Sequence, residues 1–448
     1  MDDLPPPLVL EILSRLGDSA DLARCRVASK AFNAHSHEVR SVTLICTLSR
    51  YLKSRSPETK HQVTPFKSVF NNLVRHLRCV ESVSIGVEKS LAGLSYDDVD
   101  DESDDLYLTD AGFVKEWLPR VCGELKSLSV SDFWIQSCWR RSDILAHISA
   151  SCQALLNLEL RNAWLSVDGL NPMQMLRSLT LEFIRLDDEN LNKFNQCFPC
   201  LQHLNLIGVG GLKEPSIHLC HLKTCRWTVS NAPLSLAIVA PNLSKLDLKC
   251  IRPSSLVIET PVLSDLFLSL ENPSKFKIEY FTDLENLRLE SANLFGLIGL
   301  FPQCTSTRRL TVDSLKCTDI VDVKMLSLEV LSNTFANMRS LGLRSGAWSE
   351  MERCFRTCHV QSQNKITGLK EITAQLVIQD LDVTLSFIFC VLGMCINLSD
   401  VALLIHRDVY PDVASNLISQ CTAQHPKIRW KWGMWQEDSE DTWVSDGI

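Results

Sequence analysis

Three stretches of the chain carry residue types suited to chemistry. Cys197-Phe198-Pro199-Cys200, followed by His203, has the spacing of half a tetrahedral zinc site. No second pair follows at a matching distance, and His218, Cys220 and His221 offer only a ragged alternative. Cys200 directly precedes Leu201, the start of an apolar phrase, so core and turn cysteines are expected and no metal. Asp97 to Asp105 reads DDVDDESDD, dense enough in carboxylates for a divalent ion or a basic partner. It lacks the glycine turn and closing glutamate of a calcium loop. A solvated insertion is the expectation, with Ser103 open to an acid-directed kinase. Gly208-Val209-Gly210-Gly211 has no phosphate-loop lysine and does not match GxGxxG, so it reads as a turn after a strand. Neither HExxH nor GxSxG occurs. The expectation is a non-enzyme with no catalytic residue and no cofactor.

Aromatic residues are the next chemical feature. Four of the ten tryptophans, Trp430, Trp432, Trp435 and Trp443, crowd the end of the chain. Arg429-Trp430-Lys431-Trp432 alternates at strand period, which puts two indoles on one face, as a final cap or as an exposed platform for a partner. Trp134, Trp139, Trp164 and Trp348 follow repeat strands and would line a rim or be buried there.

Stepping from residues to scaffold, 448 residues with 45% hydrophobic and 22% charged side chains can bury a large core. A net charge of -8 opposes a nucleic-acid partner, because phosphate contacts need a basic face. The 18 cysteines are scattered, and Cys225, Cys250 and Cys317 sit among leucines, so reduced thiols are expected. The N-terminus lacks the basic start and apolar core of a secretory signal. Val383 to Ser399, the most apolar stretch, is interrupted by Thr384, Ser386, Gly393 and Asn397 and reads as a buried helix rather than a span. A soluble protein of the cytoplasm or nucleus, off the membrane, is expected.

Leu4 to Leu16 reads LPPPLVLEILSRL. Leu8, Ile12, Leu13 and Leu16 fall at helical spacing after prolines suited to a first turn. Gly17 stops that helix and Asp18 or Ser19 can cap the next, where Leu22, Cys25, Ala28 and Phe32 recur at helical spacing. Two short helices bury too little to stand alone, so they need neighbouring structure or a partner. The segment resembles the F-box: Leu4-Pro5, Leu8, Glu11-Ile12-Leu13-Ser14-Arg15-Leu16, Leu22, Arg24-Cys25 and Ser29-Lys30 follow its pattern without a gap. Ala28 stands where a larger aliphatic is usual, and Phe32 where tryptophan is common. The resemblance implies that Leu4, Pro5, Leu8, Ile12, Leu13, Leu16, Leu22 and Cys25 help dock the adaptor Skp1, and through it a cullin. Charged residues in place of Leu13 and Leu16 are expected to abolish that docking while leaving the repeats folded.

Beyond residue 39 the chain repeats one phrase, apolar at its first, fourth and sixth positions. Clear copies start at Leu125, Leu155, Leu176, Leu201, Leu243, Leu263, Leu284 and Met338; weaker ones start at Val39, Val80, Leu222, Thr307, Leu369 and Leu398. Intervals of roughly 20–25 residues between Leu155 and Thr307 are those of leucine-rich repeats. Alternation within each phrase marks a strand with one buried face, and the intervening positions are polar apart from Ile207 and Phe267. One repeat cannot bury its leucines alone, so stacking makes the core.

An α/β architecture follows: an F-box over residues 1–42, irregular first repeats with an acidic loop over 43–124, a leucine-rich-repeat solenoid or horseshoe over 125–430, and a tryptophan-rich tail over 431–448. F-box followed by irregular repeats is similar to plant F-box/LRR-repeat proteins. That resemblance implies a non-catalytic adaptor of an SCF-type ubiquitin ligase whose repeats select a target protein. Glu159, Arg161, Arg226, Lys245, Asp247, Arg288 and Glu290 are the expected target contacts. A small-molecule-sensing receptor and a plain repeat scaffold are the alternatives.

Overall fold

A computed structural model of the chain describes residues 4–94, 104–187, 191–229, 233–251, 253–271, 276–278, 281–301, 304–315, 326–358, 365–437 and 439–443. The chain divides into two compact units, Met1–Pro233 and Leu234–Ile448.

The first unit opens with three helices rather than two: α1 (Pro6–Ser14), α2 (Ser19–Ala28) and α3 (Lys30–His35). The extra break falls at Ser29, whose extended backbone lets Oγ accept the Phe32 amide and start a new helix. Asp18 caps α2 by accepting from the Ala20 amide at 2.9 Å. Val9, Leu13, Leu22, Phe32 and Val39 form a small core, with Leu16 and Cys25 packed against it.

Parallel repeat strands follow in this unit: Ser41–Cys46, Ser82–Val87, Ser127–Ser131, Asn157–Leu165, Ser178–Leu186, His203–Val209 and Thr224–Val229. Each begins two residues after the start of a repeated phrase, so the phrase leucines fall in register. One buried row runs Val42, Val83, Leu128, Leu158, Leu179, Leu204, Cys225; the next ends on Leu160, Leu181, Leu206, Trp227. Burying each such side chain contributes roughly 1.5–3 kcal/mol, which is why repeats of uneven length still stack. Helices Phe66–Arg75, Ala111–Val121 and Ile144–Ser151 complete the turns, with Phe70 and Trp117 meeting edge to face at 5.2 Å.

The second unit repeats the plan with parallel strands running from Lys245–Cys250 and Asp265–Leu270 through Asp400–His406 to Arg429–Trp435. Its later turns close with helices, including Leu381–Met394, whose buried Leu385, Phe387, Ile388 and Val391 account for the most apolar stretch of the sequence. Its early turns close differently: Ser235–Val239, Ser255–Glu259 and Phe276–Ile278 form a second parallel sheet. The last strand runs across residue 430. Trp430 and Trp432 stand in register with Val401 and Leu403, in place of leucines, and stack at 5.5 Å. They are half-buried and cap the row, while Trp435 is buried and donates to the Leu376 carbonyl.

No disulfide joins the described cysteines. Burial pushes the thiols of Cys152, Cys395 and Cys421 up to about 12, so they pack as small apolar groups. Cys317 lies outside the described residues. Among those described, no helix is long and apolar enough to cross a membrane.

Candidate docking helices and repeat faces

The α1 helix is apolar on two sides, and the structure separates them. Val9 and Leu13 turn inward and Leu16 is half-buried, whereas Leu8 is 52% exposed and Ile12 is 41% exposed, one turn apart. Leu4 and Pro5 are exposed just ahead of them. The eight residues assigned to docking therefore fall into two groups. Leu13 and Leu22 are core; Leu16 and Cys25 pack against that core; Leu4, Pro5, Leu8 and Ile12 present a surface. Ala28 is exposed at the end of α2, off the buried side. Helical spacing could not make this division, because neighbouring apolar residues all share the period.

The helices are tied to the first repeat. Ser19, at the start of α2, is buried, and its Oγ accepts the Thr43 amide at 2.9 Å from the first strand. Arg78 donates to the His37 carbonyl at 3.1 Å.

The solvent face of the sheets carries the other candidate residues. In the first unit Arg161 bridges Glu159 at 2.5 Å and Glu182 at 2.9 Å, and Ser129 donates to Glu159. Arg226 is exposed one strand beyond Asn205. In the second unit Lys245, Asp247, Asp265, Phe267, Arg288 and Arg309 line a concavity of about 350 Å³. Arg288 lies over the Phe267 ring, 4.6 Å from its centre, and pairs with Glu290 at 2.5 Å. Glu290, expected to face solvent, is buried. It stands in register with Asp313, whose carboxyl is pushed up by burial and by the neighbouring Glu290 charge. Glu290 is therefore an internal partner of Arg288 and not itself accessible.

The remaining motifs are structural. Cys197 is buried and donates to the Leu170 carbonyl, while Cys200 lies in the turn before its strand and His203 pairs with Thr224. Gly208 and Gly211 have φ of 63° and 90°, conformations that glycine adopts freely. Most of the acidic run, including Ser103, lies outside the described residues. Its last two members are not simply solvated: Asp104 pairs with Arg140, and Asp105 accepts the Phe66 and Lys67 amides at a helix start. Sequence reading missed Asp132, a buried carboxylate held by the Leu108, Thr109 and Phe133 amides and the Thr109 hydroxyl. Burial pushes it up to about 6.

Three short helices around a small core, the first with an exposed apolar side, then parallel strands stacked on registered leucines, define an F-box followed by leucine-rich repeats. Residues 1–41 match the F-box-like family. The chain is 53% identical to the F-box/LRR-repeat protein At4g29420 of Arabidopsis thaliana, over 99% of this chain and 100% of that one. It is 24% identical to the F-box protein At1g10780 of Arabidopsis thaliana, over 50% of this chain and 48% of that one. The chain belongs to the F-box/LRR-repeat proteins.

Proposed function

We propose that this protein is the target-selecting subunit of an SCF-type ubiquitin ligase. Leu4, Pro5, Leu8 and Ile12 dock a Skp1-like adaptor, which joins the chain to a cullin, and the repeats hold the protein to be modified. The single observation that carries the reading is the exposed Leu8–Ile12 pair on a helix whose opposite side already fills its own core. Isolated exposed apolar side chains are ordinary, but two on adjacent turns of a marginal helix fit a partner groove.

The chain's own contribution is proximity: it raises the local concentration of target beside a loaded enzyme supplied by other subunits. Arg226, Lys245, Asp247 and Arg288, together with the Glu159–Arg161 pair, are the target contacts of this reading. Its place of action is a reducing one, the cytoplasm or nucleus, where scattered cysteines stay as thiols. Co-purification with a Skp1-like adaptor tests it, using the full chain beside a chain lacking residues 2–40. Adaptor recovered only with the full chain supports the reading; adaptor recovered with neither makes the protein a repeat scaffold.

A second reading, a ligand-sensing receptor, is favoured by the concavity around Phe267 and Arg288, whose volume of about 350 Å³ suits a small molecule.

A further inference from the structure

Three consecutive repeats of the first unit share an irregularity. Asn162, Phe183 and Gly208 occupy the same place in their strands and all have positive φ, 56°, 53° and 63°. Asparagine and glycine enter this conformation at little cost, whereas phenylalanine does not. Nor is Phe183 held there by core packing, since it is 62% exposed. Conformation would select asparagine or glycine at this position, and burial would select an inward side chain; Phe183 answers to neither. A strained, solvent-facing ring points to what the ring meets outside the molecule.

The surroundings say what that is. Past the irregularity the strands continue, and Arg141, on the short strand Arg141–Ser142, stands side by side with Trp164 and Arg185 on the next two strands. Two residues before Arg141 lies Trp139, 72% exposed, just as Phe183 lies two residues before Arg185. The Arg185 guanidinium sits 4.3 Å from the centre of the Trp164 ring. The Phe183 ring lies against Gly208, where a Cβ would come within 2.8 Å of its Cδ1. Aromatic and arginine side chains held in place before contact are those that dominate protein interfaces. The cations nearby are matched: Arg140 pairs with Asp104, Arg141 with Asp168 and Asp187, and Lys193 with Asp168. Among the described residues, Arg185 has no carboxylate within ion-pair distance.

We propose that this rim of Trp139, Phe183 and the Trp164–Arg185 stack is a docking surface for an acidic, apolar polypeptide segment of a partner protein. Apolar side chains of the segment cover the two exposed rings, and a carboxylate pairs with Arg185. The proposal rests on the reading of the repeats as the target-selecting part and names the class of target segment they take.

The test uses the immobilised full chain and short random-sequence peptides displayed on phage. Recovered peptides are synthesised and titrated against the wild type, Phe183→Asn and Arg185→Glu. The expected peptides carry Asp or Glu beside large apolar residues, and Phe183→Asn weakens them roughly tenfold or more. Arg185→Glu weakens them too and is rescued when the peptide acid becomes lysine. Phe183→Asn, which copies Asn162, unfolds at the same or a higher denaturant concentration than the wild type, so lost binding is not lost folding. Recovery of no peptide, or of peptides that bind both variants as tightly as the wild type, overturns the proposal. A Skp1-like adaptor is retained by both variants. Peptide binding without adaptor binding would instead sink the ligase reading and leave this surface standing.

Discussion

The buried Ser19 hydroxyl accepts the Thr43 amide at 2.9 Å, joining the start of α2 to the first strand of the repeats. The helical module is therefore built onto the solenoid rather than strung from it. Ser19→Ala leaves the Thr43 amide without its acceptor and is expected to cost about 1–2 kcal/mol. Hydrogen exchange at Thr43 checks it: faster exchange in the variant is expected, and unchanged exchange contradicts the link.

Leu13 and Leu8 should separate folding from docking. Leu13→Ala removes a core side chain and is expected to destabilise the helices by about 2–5 kcal/mol. Leu8→Ala should stay within about 0.5 kcal/mol of the wild type, because its side chain is already exposed. Chemical denaturation followed by helix signal measures both. A charged residue in place of Leu13 is consequently expected to unfold the module instead of testing its surface.

Much of this fold was readable before the structure, and the reasons are local. Every repeat strand whose phrase keeps leucine-like residues begins two residues after the start of that phrase, because burial of alternate side chains fixes both strand and register. The last strand was harder to read as a repeat, since Trp430 and Trp432 replace the leucines. The second sheet was missed because Ser235–Val239 and Ser255–Glu259 are short apolar alternations without a phrase of their own. Trp139 and Trp164 were legible as rim candidates, but the place of Phe183 and Arg185 beside them was not: a left-handed residue inside a strand resets the inward–outward count, and only Asn162 and Gly208 hint at it by type. In the candidate site, the chemistry of Arg288 was legible, but its Glu290 partner was placed outside when tertiary packing puts it inside.

Arg288 should matter to folding as well as to contact. Arg288→Ala leaves the buried Glu290 carboxylate beside Asp313 without its guanidinium, and a loss of about 1–3 kcal/mol is expected after allowing for the exposure of Arg288. Lys245→Ala, at an exposed position, should change stability by less than about 0.5 kcal/mol. Equal denaturation midpoints for the two variants would contradict this assignment.

Asp132 gives the fold a pH dependence of predictable sign. Burial raises its folded value to about 6, above the ordinary carboxylate value of 3.8, so the folded state prefers the protonated form. Its contribution is fully present below about pH 4 and is lost as pH rises through about 6, a change of roughly 3 kcal/mol. Asp132→Asn cannot titrate, so the stability difference between wild type and variant should shift in favour of the wild type as pH falls across that window. Denaturant unfolding of both proteins at several pH values measures it, and a constant difference would contradict the burial argument.

The most direct test of the central claim is the affinity of a Skp1-like adaptor for the full chain carrying Leu8→Asp and Ile12→Asp. The account predicts a loss of roughly a hundredfold or more, with helix content and repeat unfolding unchanged. Wild-type affinity in that folded variant would show that the exposed face of α1 is not the docking surface.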